Sequence, residues 1–437
     1  MSVTRPAPAP SGTLAAIFLR MVGAPLAGTC VLLSSCFAAP ALTLAEAQHL
    51  ALQRSRQLAV HDLSADAARQ MAAAAGQLPD PVLKAGIDNL PVSGVDRFSL
   101  GRDFMTMRRV GISQELTGAD KRRRRAELYE QEGAKAVAAK RAAAASIQRE
   151  TAWAWLELHF ALKAERLIAE QAIQAQNEIE AAEALYRGAR GSLADIASAR
   201  MALALTRDRA SEAERRRRNA AIMLGRWTGA EPGGELAELP AMADAGFDPA
   251  TLEATLARHP ELAVLAQQER IARAEANLAD ANRTTDWNVE VAFQQRGQGY
   301  SNMVSVGISV PLQWDRPQRQ DRELGAKLAL AEAARAESEE ARHAQLAMIR
   351  TLLTEWESDR ERHQRFEQEV LPLSRQRTEA ALAAYRGGKA ALADVLASRR
   401  NELDMALQAL QLHAQVARAW AQLNYLIPSE QAGKEVK

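Results

Sequence analysis

The segment "YRGARGSLADIASAR" at residues 186–200 has a near-copy later in the chain, "YRGGKAALADVLASRR" at 385–400. Tyr186 and Tyr385 are 199 residues apart (385 − 186 = 199), and the same offset relates Asp195 to Asp394. Similarity at a fixed spacing indicates a repeated structural unit. The sequence therefore predicts an internal duplication, with each copy filling about half of the 437-residue chain.

Each copy has the same predicted elements in the same order. A first helix precedes two short strands, a very long helix, the Tyr-Arg-Gly turn and a closing helix; the helices are predicted at 43–78, 120–186 and 193–227, and again at 249–283, 318–385 and 391–426. A Gly- and Pro-rich stretch between the copies reads as a linker. The predicted divisions are 42–227 for the first repeat, 228–249 for the linker, 250–427 for the second repeat and 428–437 for a flexible C-terminal tail.

The long helices are too long for one globular core. No proline interrupts 120–186, and such a helix is on the order of 100 Å long at 1.5 Å per residue. It must pack along its length against other helices, and heptad-like spacings support a coiled-coil arrangement. These spacings are Leu346, Ile349, Leu353 and Trp356 in one helix, and Leu403, Leu407 and Leu410 in another. Pro372 predicts a kink in the second long helix.

The strand segments of the second copy alternate strictly between apolar and polar residues, and those of the first copy are weaker counterparts. The apolar positions are Leu83, Ala85, Ile87, Val110, Ile112, Leu116, Trp287, Val289, Val291, Phe293, Val304, Val306, Ile308, Val310 and Leu312. Segments of about ten residues suit a tilted strand that crosses a bilayer, and a half-buried soluble sheet is the alternative. Because about eight strands are needed to close a barrel, four membrane strands would require several protomers to share one.

The N-terminal segment reads as a secretory signal peptide, residues 1–41. Arg20 is followed by the apolar stretch "MVGAPLAGTCVLLSSCFAAPA", which ends in the small-residue cleavage pattern Ala39-Pro40-Ala41. A second interpretation is a lipoprotein signal, in which "LSSC" at 33–36 would leave Cys36 as a lipidated first residue. Cleavage after Ala41 is favoured because regular structure begins at once, and it would remove both cysteines. After residue 45 the sequence has no run of 18 apolar residues, so no membrane-spanning helix is predicted there.

The composition gives no sign of an enzyme or of a nucleic-acid partner. The net charge is +1, so the basic runs at 121–125 and 215–218 are predicted to be solvated helix faces. Snorkelling to lipid head groups is a further use expected of the first run. The chain has no HExxH, G-x-S-x-G or P-loop pattern, and no two of its seven histidines lie three or four residues apart. No cofactor is expected. Met105 and Met107 are weak candidates for soft-metal ligands, with loop packing as the alternative.

The duplicated plan resembles the TolC family of outer-membrane efflux proteins. The motifs that carry the resemblance are "YRGGKAALADVL" at 385–396, "VGISVPLQWDRPQRQ" at 306–320 and "VGISQELTGADKRRR" at 110–124, and it covers about residues 42–427. The stretch at 78–116 looks most like the heavy-metal branch of that family. The resemblance implies a mainly α-helical fold, in which a long coiled-coil barrel continues a transmembrane β-barrel shared by a homotrimer, with four strands per protomer and twelve in all.

The function implied by this resemblance is passive conduction in a tripartite efflux system. The channel would lie in the outer membrane of a Gram-negative bacterium, among its lipids, and its helices would extend through the periplasm. Its partners would be a periplasmic adaptor and an inner-membrane pump of the RND type, and its cargo heavy-metal cations. Drugs or secreted polypeptides are alternative cargoes. A soluble periplasmic coiled-coil scaffold is the rival from another class.

The resemblance also implies which residues act at the far periplasmic end. The hairpin tips that would meet the adaptor contain Tyr186, Arg187, Gly188, Gly191, Gly387 and Gly388. Tyr385 and Asp195 match a linked pair that holds the channel closed, and Asp394 matches a ring carboxylate. The chain departs from the family where a gating arginine and a second ring acid are replaced by Ala390 and Ala397.

Two questions about this end stay open in the sequence. Since the usual gating arginine is missing, closure would fall to other cations, for which Arg190, Arg386 and Lys389 are the candidates. For Asp195 and Asp394 the alternative role is stabilisation of a helix start by an acid in the first turn, and Ser192 would serve as the N-cap of the first copy.

Overall fold

The structure is a computed structural model that describes residues 41–229, 236–242 and 252–426. The predicted signal peptide up to residue 40, with Cys36, lies outside the described residues. So do most of the predicted linker and the whole predicted C-terminal tail at 428–437.

The first copy contains four helices and two strands. They are α1 (Leu44–Arg54), α2 (Arg56–Ala75), β1 (Val82–Asp88), β2 (Met107–Leu116), α3 (Ala119–Arg187) and α4 (Leu193–Thr228). The single helix predicted at 43–78 is wrong in one respect, because Ser55 takes an extended conformation and divides it. The Ser55 hydroxyl then accepts a hydrogen bond from the Leu58 amide and caps α2, as short polar side chains do at helix starts.

The second copy repeats this order with more interruptions. It contains α5 (Leu252–Leu256), α6 (Pro260–Ala281), β3 (Trp287–Gln295), β4 (Met303–Ser309), α7 (Gln320–Arg365), a π-helical turn (Phe366–Val370), α8 (Leu371–Arg386) and α9 (Leu392–Asn424). The predicted first helix is again divided, because Pro260 begins a new helix at a position where its missing N–H costs nothing.

The long helix of each copy behaves as its proline content predicts. The 69 residues of α3 are uninterrupted, which corresponds to about 100 Å. In the second copy, the π-helical turn ends two residues before Pro372. Proline removes a backbone hydrogen bond and clashes with the preceding turn, so the predicted break is confirmed.

The main core lies near the middle of the long helices, where α3, α4, α7, α9 and the start of α1 meet. Trp155, Leu156 and Leu224 are fully buried there, and Ile349 and Trp356 from the predicted heptad pack with them. A smaller apolar cluster holds the tips of the α3–α4 and α8–α9 hairpins together. Among the described helices, none has the length and apolar character to cross a membrane.

The sheet joins the two copies through its central strands. Its order is β1-β2-β3-β4 with every pair antiparallel, and β2 pairs with β3 in a register that sets Ile112 opposite Val291. Since paired residues share a face, the predicted apolar positions that fall within the four strands lie on one side of the sheet. The prediction is wrong for Val310 and Leu312, because β4 ends at Ser309, before Pro311. In the described part of the chain, the outer edges of β1 and β4 have no further strand beside them.

The basic run at 121–125 is not uniformly solvated, which corrects the sequence prediction. Lys121 is only 5% exposed, and its Nζ lies 2.7 Å from Oδ2 of Asp286. The Gly118 amide donates to the other oxygen of Asp286 at 3.0 Å. The run begins in the first turn of α3, which the fold sets against the residue that precedes β3. The pair therefore fastens the first copy to the second at the junction of sheet and helices.

Gly111 allows β2 of the first copy to approach β3 of the second copy closely. A Cβ atom at Gly111 would lie 2.7 Å from the Ala292 Cβ and 2.9 Å from the Val291 oxygen, whereas one at Gly307 would meet nothing within 4 Å. We expect Gly111→Ala to lower the unfolding temperature, because β2 and β3 must move apart. Gly307→Ala, in the matching "GIS" of the second copy, should leave it nearly unchanged. Thermal unfolding followed by circular dichroism compares the two, and equal midpoints would contradict this account.

Candidate functional site

The polar face of the sheet carries a charged network across three strands. Glu290 of β3 contacts Lys84 of β1 at 2.7 Å and also pairs with Arg109 of β2. Arg109 lies 3.8 Å from Asp88 of β1 as well. Two cations thus balance two carboxylates, and the Glu290 side chain is only 19% exposed. Glu115 of β2 lies opposite Asn288 on the same face, so the strand residues of this polar face carry two cations, three carboxylates and a net charge of −1.

The opposite face of the sheet is mostly apolar and exposed, with Arg108, Gln114 and Gln295 as its polar residues. Leu83 is 70% exposed and Val306 is 69% exposed, although ordinary sheets bury such side chains. The same face includes the exposed residues Ile87, Val110, Ile112, Val291, Phe293, Val304 and Ile308. A continuous exposed apolar surface marks a contact with protein or with lipid.

The two methionines proposed as weak metal ligands lie at the end of the sheet away from the helices. Met105 is 48% exposed in the loop between β1 and β2, and its amide donates to Asp103 at 2.9 Å. Met107 begins β2, opposite Asp88. Their possible role as soft-metal ligands stays a prediction.

The two hairpin tips have the same backbone geometry. In the first, the Arg190 amide donates to the Leu185 carbonyl at 2.9 Å, and in the second the Lys389 amide donates to Ala384 at 2.9 Å. This bonding closes a helix through one left-handed residue. That residue is Ala189 (φ 56°) in the first tip and Gly388 (φ 69°) in the second.

The two tips allow the conformational free-energy cost of a Cβ atom at the left-handed position to be measured. We expect Ala189→Gly to stabilise the first hairpin by about 1 kcal/mol, since a left-handed conformation costs a residue with a Cβ roughly that much. Gly388→Ala should destabilise the second by a similar amount. A Cβ at Gly388 would meet nothing within 4 Å, so its cost would be conformational alone.

Hydrogen exchange at the amides of the two tips reads the effect locally, and thermal unfolding reads it globally. Changes of the same sign in both variants would contradict the assignment of the left-handed positions.

Asp195 and Asp394 both bond to the start of their own helix. The Asp195 carboxylate accepts from the Ser192 amide at 2.9 Å and from the Ser192 hydroxyl at 2.7 Å, and the hydroxyl accepts from the Asp195 amide. In the second copy, Asp394 accepts from the Ala391 amide at 3.1 Å. Ala391 occupies the place of Ser192 and has no hydroxyl, so the second tip has half of this capping arrangement.

Tyr385 lies near Asp195 without forming the predicted link in this chain. It packs half-buried against the cluster that joins the hairpins. Burial raises the pKa of the Tyr385 hydroxyl, and the nearby Asp195 charge raises it further. In the described structure, the Asp195 carboxylate bonds to Ser192 and not to the phenol. The gating role of the pair remains a proposal.

The remaining tip residues are exposed. Tyr186 is 49% exposed, and Arg187, Gly188 and the three candidate gating cations Arg190, Arg386 and Lys389 are exposed too, with Gly387 and Gly388 beside them and Gly191 partly covered. Within the part of the chain that the structure describes, none of the three cations pairs with a carboxylate.

The ion pairs that do connect the two hairpins lie further up the helices. Arg399 of α9 reaches Glu178 of α3 at 3.2 Å, with side chains 25% and 14% exposed. Arg209 of α4 reaches Asp404 of α9 at 2.8 Å. Glu178, Arg209 and Arg399 border a cavity of about 190 Å³ between the copies. Burial raises the pKa of Glu178, although the charge and hydrogen bond of Arg399 oppose this rise.

The Arg399–Glu178 pair could not be predicted from the duplicated sequence, because the equivalent arginine of the first copy has a different partner. Arg399 occupies the same place in its repeat as Arg200 (399 − 200 = 199). Arg200, however, pairs within its own hairpin with Glu183 at 2.8 Å, and its side chain is 65% exposed. Two equivalent arginines thus make different contacts, one within a copy and one between copies.

Removing each arginine separates these two roles. We expect Arg399→Ala to destabilise the protein by about 2 kcal/mol, because it leaves the buried Glu178 carboxylate without its partner. Arg200→Ala should cost less than about 0.5 kcal/mol, as an exposed pair contributes little. Denaturant unfolding of the two variants measures the difference. Equal losses would show that the hairpins do not depend on the Arg399–Glu178 pair.

Three histidines that looked isolated in the sequence meet in the main core. The rings of His363 and His413 are 4.4 Å apart, and Phe160 lies between His413 and His159. Burial, helped by nearby cations, lowers the pKa of His159 and of His413 to about 4. Their approach depends on the packing of α3, α7 and α9, which local spacing does not reveal. Among the described residues, no group of three or more His, Cys, Asp or Glu side chains is arranged to hold a metal ion.

Comparison with known proteins gives likeness of structure without likeness of sequence. No family model and no curated protein matches the chain. The outer-membrane channel OprN superposes with a TM-score of 0.75 at 19% identity, covering 89% of this chain and 90% of that one. CusC, whose structures describe folding and transmembrane channel formation, gives 0.75 at 15% identity, covering 88% and 92%. The CmeC outer membrane channel of Campylobacter jejuni gives 0.72 at 13% identity, covering 90% and 88%.

These likenesses extend over 88–90% of the chain. The fold class expected from the sequence is confirmed. The chain has the fold of the TolC-type outer-membrane channels, in which long helices continue from a small antiparallel sheet.

Proposed function

We propose that this chain is one subunit of an outer-membrane channel, and that it conducts solutes passively out of the periplasm as part of a tripartite efflux system. The observation that carries the proposal is the sheet. It has an exposed apolar face, an ion-paired polar face and two unpaired edges. An apolar outside and a polar inside are what a strand needs between lipid and an aqueous pore.

The unpaired edges support a homotrimer. A backbone N–H or C=O without a partner costs several kcal/mol in lipid, so β1 and β4 need strands from other subunits. Four strands from each of three subunits make twelve, which exceeds the roughly eight needed to enclose a space. Closure of this kind would leave the apolar face toward lipid and the Lys84–Arg109–Glu290 network toward the pore.

The exposed hairpin tips are the feature that supports a proposed protein partner at the periplasmic end. They lie at the far end of α3, about 100 Å from the sheet, and their exposed residues include Tyr186, Arg187 and Arg386. We propose that these tips, with Gly188, Gly191, Gly387 and Gly388, meet a periplasmic adaptor that is coupled to an inner-membrane pump. Tyr385, Asp195 and Asp394 would control the opening there, and the Arg399–Glu178 pair would help to hold the two hairpins together.

For the cargo we propose heavy-metal cations. The support is the resemblance of residues 78–116 to the heavy-metal branch, and CusC is among the similar structures. Drugs or polypeptides are the alternative, because a single net negative charge per subunit on the polar face is a weak preference for cations.

Single-channel recording in planar bilayers tests the function and the gate together. Detergent-extracted wild type should give small unitary currents. Tyr385→Phe and Asp195→Asn should give larger currents, because each weakens the proposed Tyr385–Asp195 link at the periplasmic end. Asn keeps a side-chain oxygen that can cap the helix. Ser192→Ala is the matched control, since it removes the cap hydroxyl without changing any charge, and its currents should match wild type.

The outcomes separate the two parts of the proposal. If wild type conducts and all variants match it, the channel stands and the gate lies at other residues. If the protein stays in the aqueous phase and no preparation conducts, the channel proposal is wrong and a periplasmic scaffold replaces it.

A further inference from the structure

The start of the described chain is fixed deep in the helical region. The Leu42 carbonyl accepts a hydrogen bond from the Trp155 indole at 3.0 Å and another from the Ala237 amide at 3.2 Å. Leu42 also packs against the main apolar core. Thr43 then caps α1 through a reciprocal bond with Glu46. Residues 42–46 therefore have a defined place beside Trp155.

This place is far from the sheet. Trp155 lies 36 residues along α3 from Ala119 (155 − 119 = 36), and 36 residues of helix span about 54 Å. The second copy gives the same depth independently. Ile349 and Trp356, in the same core, lie 29 and 36 residues from Gln320 at the start of α7, which is about 44–54 Å.

The peptide between Cys36 and Leu42 cannot cover this distance. Six residues span at most about 22 Å when fully extended. A lipid on Cys36 must sit in the membrane that holds the sheet, which on the proposed function is next to the start of α3. The shortfall is roughly 30 Å for a helix along the membrane normal, and even a 45° tilt leaves a depth of about 38 Å.

The chain can lengthen the peptide between Cys36 and the core only by unfolding α1, which is unfavourable. Closing a gap of about 30 Å would take roughly nine more extended residues, and the next nine residues after Leu42 run through most of α1. Ala47 and Ala51 of α1 are fully buried. Pulling them out would also leave the Trp155 N–H, on a fully buried side chain, without its acceptor, and an unpaired buried donor is costly.

We propose, on the basis of the proposed function, that Cys36 carries no lipid anchor and that the mature chain begins at Leu42. In this processing step, water hydrolyses the peptide bond between Ala41 and Leu42, which leaves a carboxylate on Ala41 and an amine on Leu42. The pattern Ala39-Pro40-Ala41 supplies the small residues that a signal peptidase accepts before the cut. The Leu42 carbonyl then keeps its bonds to Trp155 and Ala237.

Intact-protein mass spectrometry of the full chain, expressed in a Gram-negative host and purified, tests the proposal. The expected mass is that of residues 42–437 without an acyl group. Cys36→Ser should give the same mass, the same yield and the same membrane fraction. Ala41→Trp should leave the leader uncut, because the small-residue site is lost, and it serves as the positive control for processing.

A mature chain that begins with an acylated Cys36 would overturn the proposal, as would accumulation of uncut precursor in Cys36→Ser. A non-acylated start between residues 37 and 41 would overturn the proposed cut before Leu42 and would support only the absence of a lipid.

The proposed function is read separately, by sedimentation of membranes and detergent extraction of the same cells. Protein that is membrane-bound but acylated would contradict the inference alone. Protein that is non-acylated but aqueous would contradict the channel alone.

Discussion

The hydrogen-bonding groups along the two open edges of the sheet are the constraint on which the rest of the structure depends. A four-stranded sheet with an exposed apolar face is unsuited to water, and its free edges are unsuited to lipid. In the proposed trimer, strands from neighbouring subunits would pair with these edges while lipid covers the apolar face. The long helices also leave surface uncovered within one chain, because α3 extends about 100 Å and the described apolar cores cover it only in segments.

The duplication provides a built-in comparison between two versions of each feature. Ser192 completes a capping arrangement that Ala391 leaves half made. Gly388 occupies without strain a left-handed position that Ala189 occupies at a cost. Arg200 stays within its hairpin while Arg399 connects the copies. The two halves share a backbone plan, and they have diverged in the side chains that stabilise it.

The sequence was informative where the deciding interactions are local. The apolar alternation placed the right residues on one face of the sheet, the absence of proline predicted α3, and Pro372 predicted the break before α8. It failed where partners are distant along the chain. Lys121 finds Asp286 across 165 residues, and Arg399 finds Glu178 across 221. The three core histidines likewise meet only because three helices pack together. The break at Ser55 depends on a local capping bond, but the helical periodicity of the surrounding residues predicted one continuous helix.

The even number of strands has a consequence for the proposed assembly. With every pair antiparallel, β1 and β4 run in opposite directions. A subunit placed next to β4 can therefore present its own β1 and continue the antiparallel alternation around any ring, whatever the number of subunits. The same parity returns the chain to the side it came from, so α3 and α7 leave the sheet at the same rim. A copy with one strand more or fewer would send its long helix out of the opposite rim, and no continuous tube of helices could form.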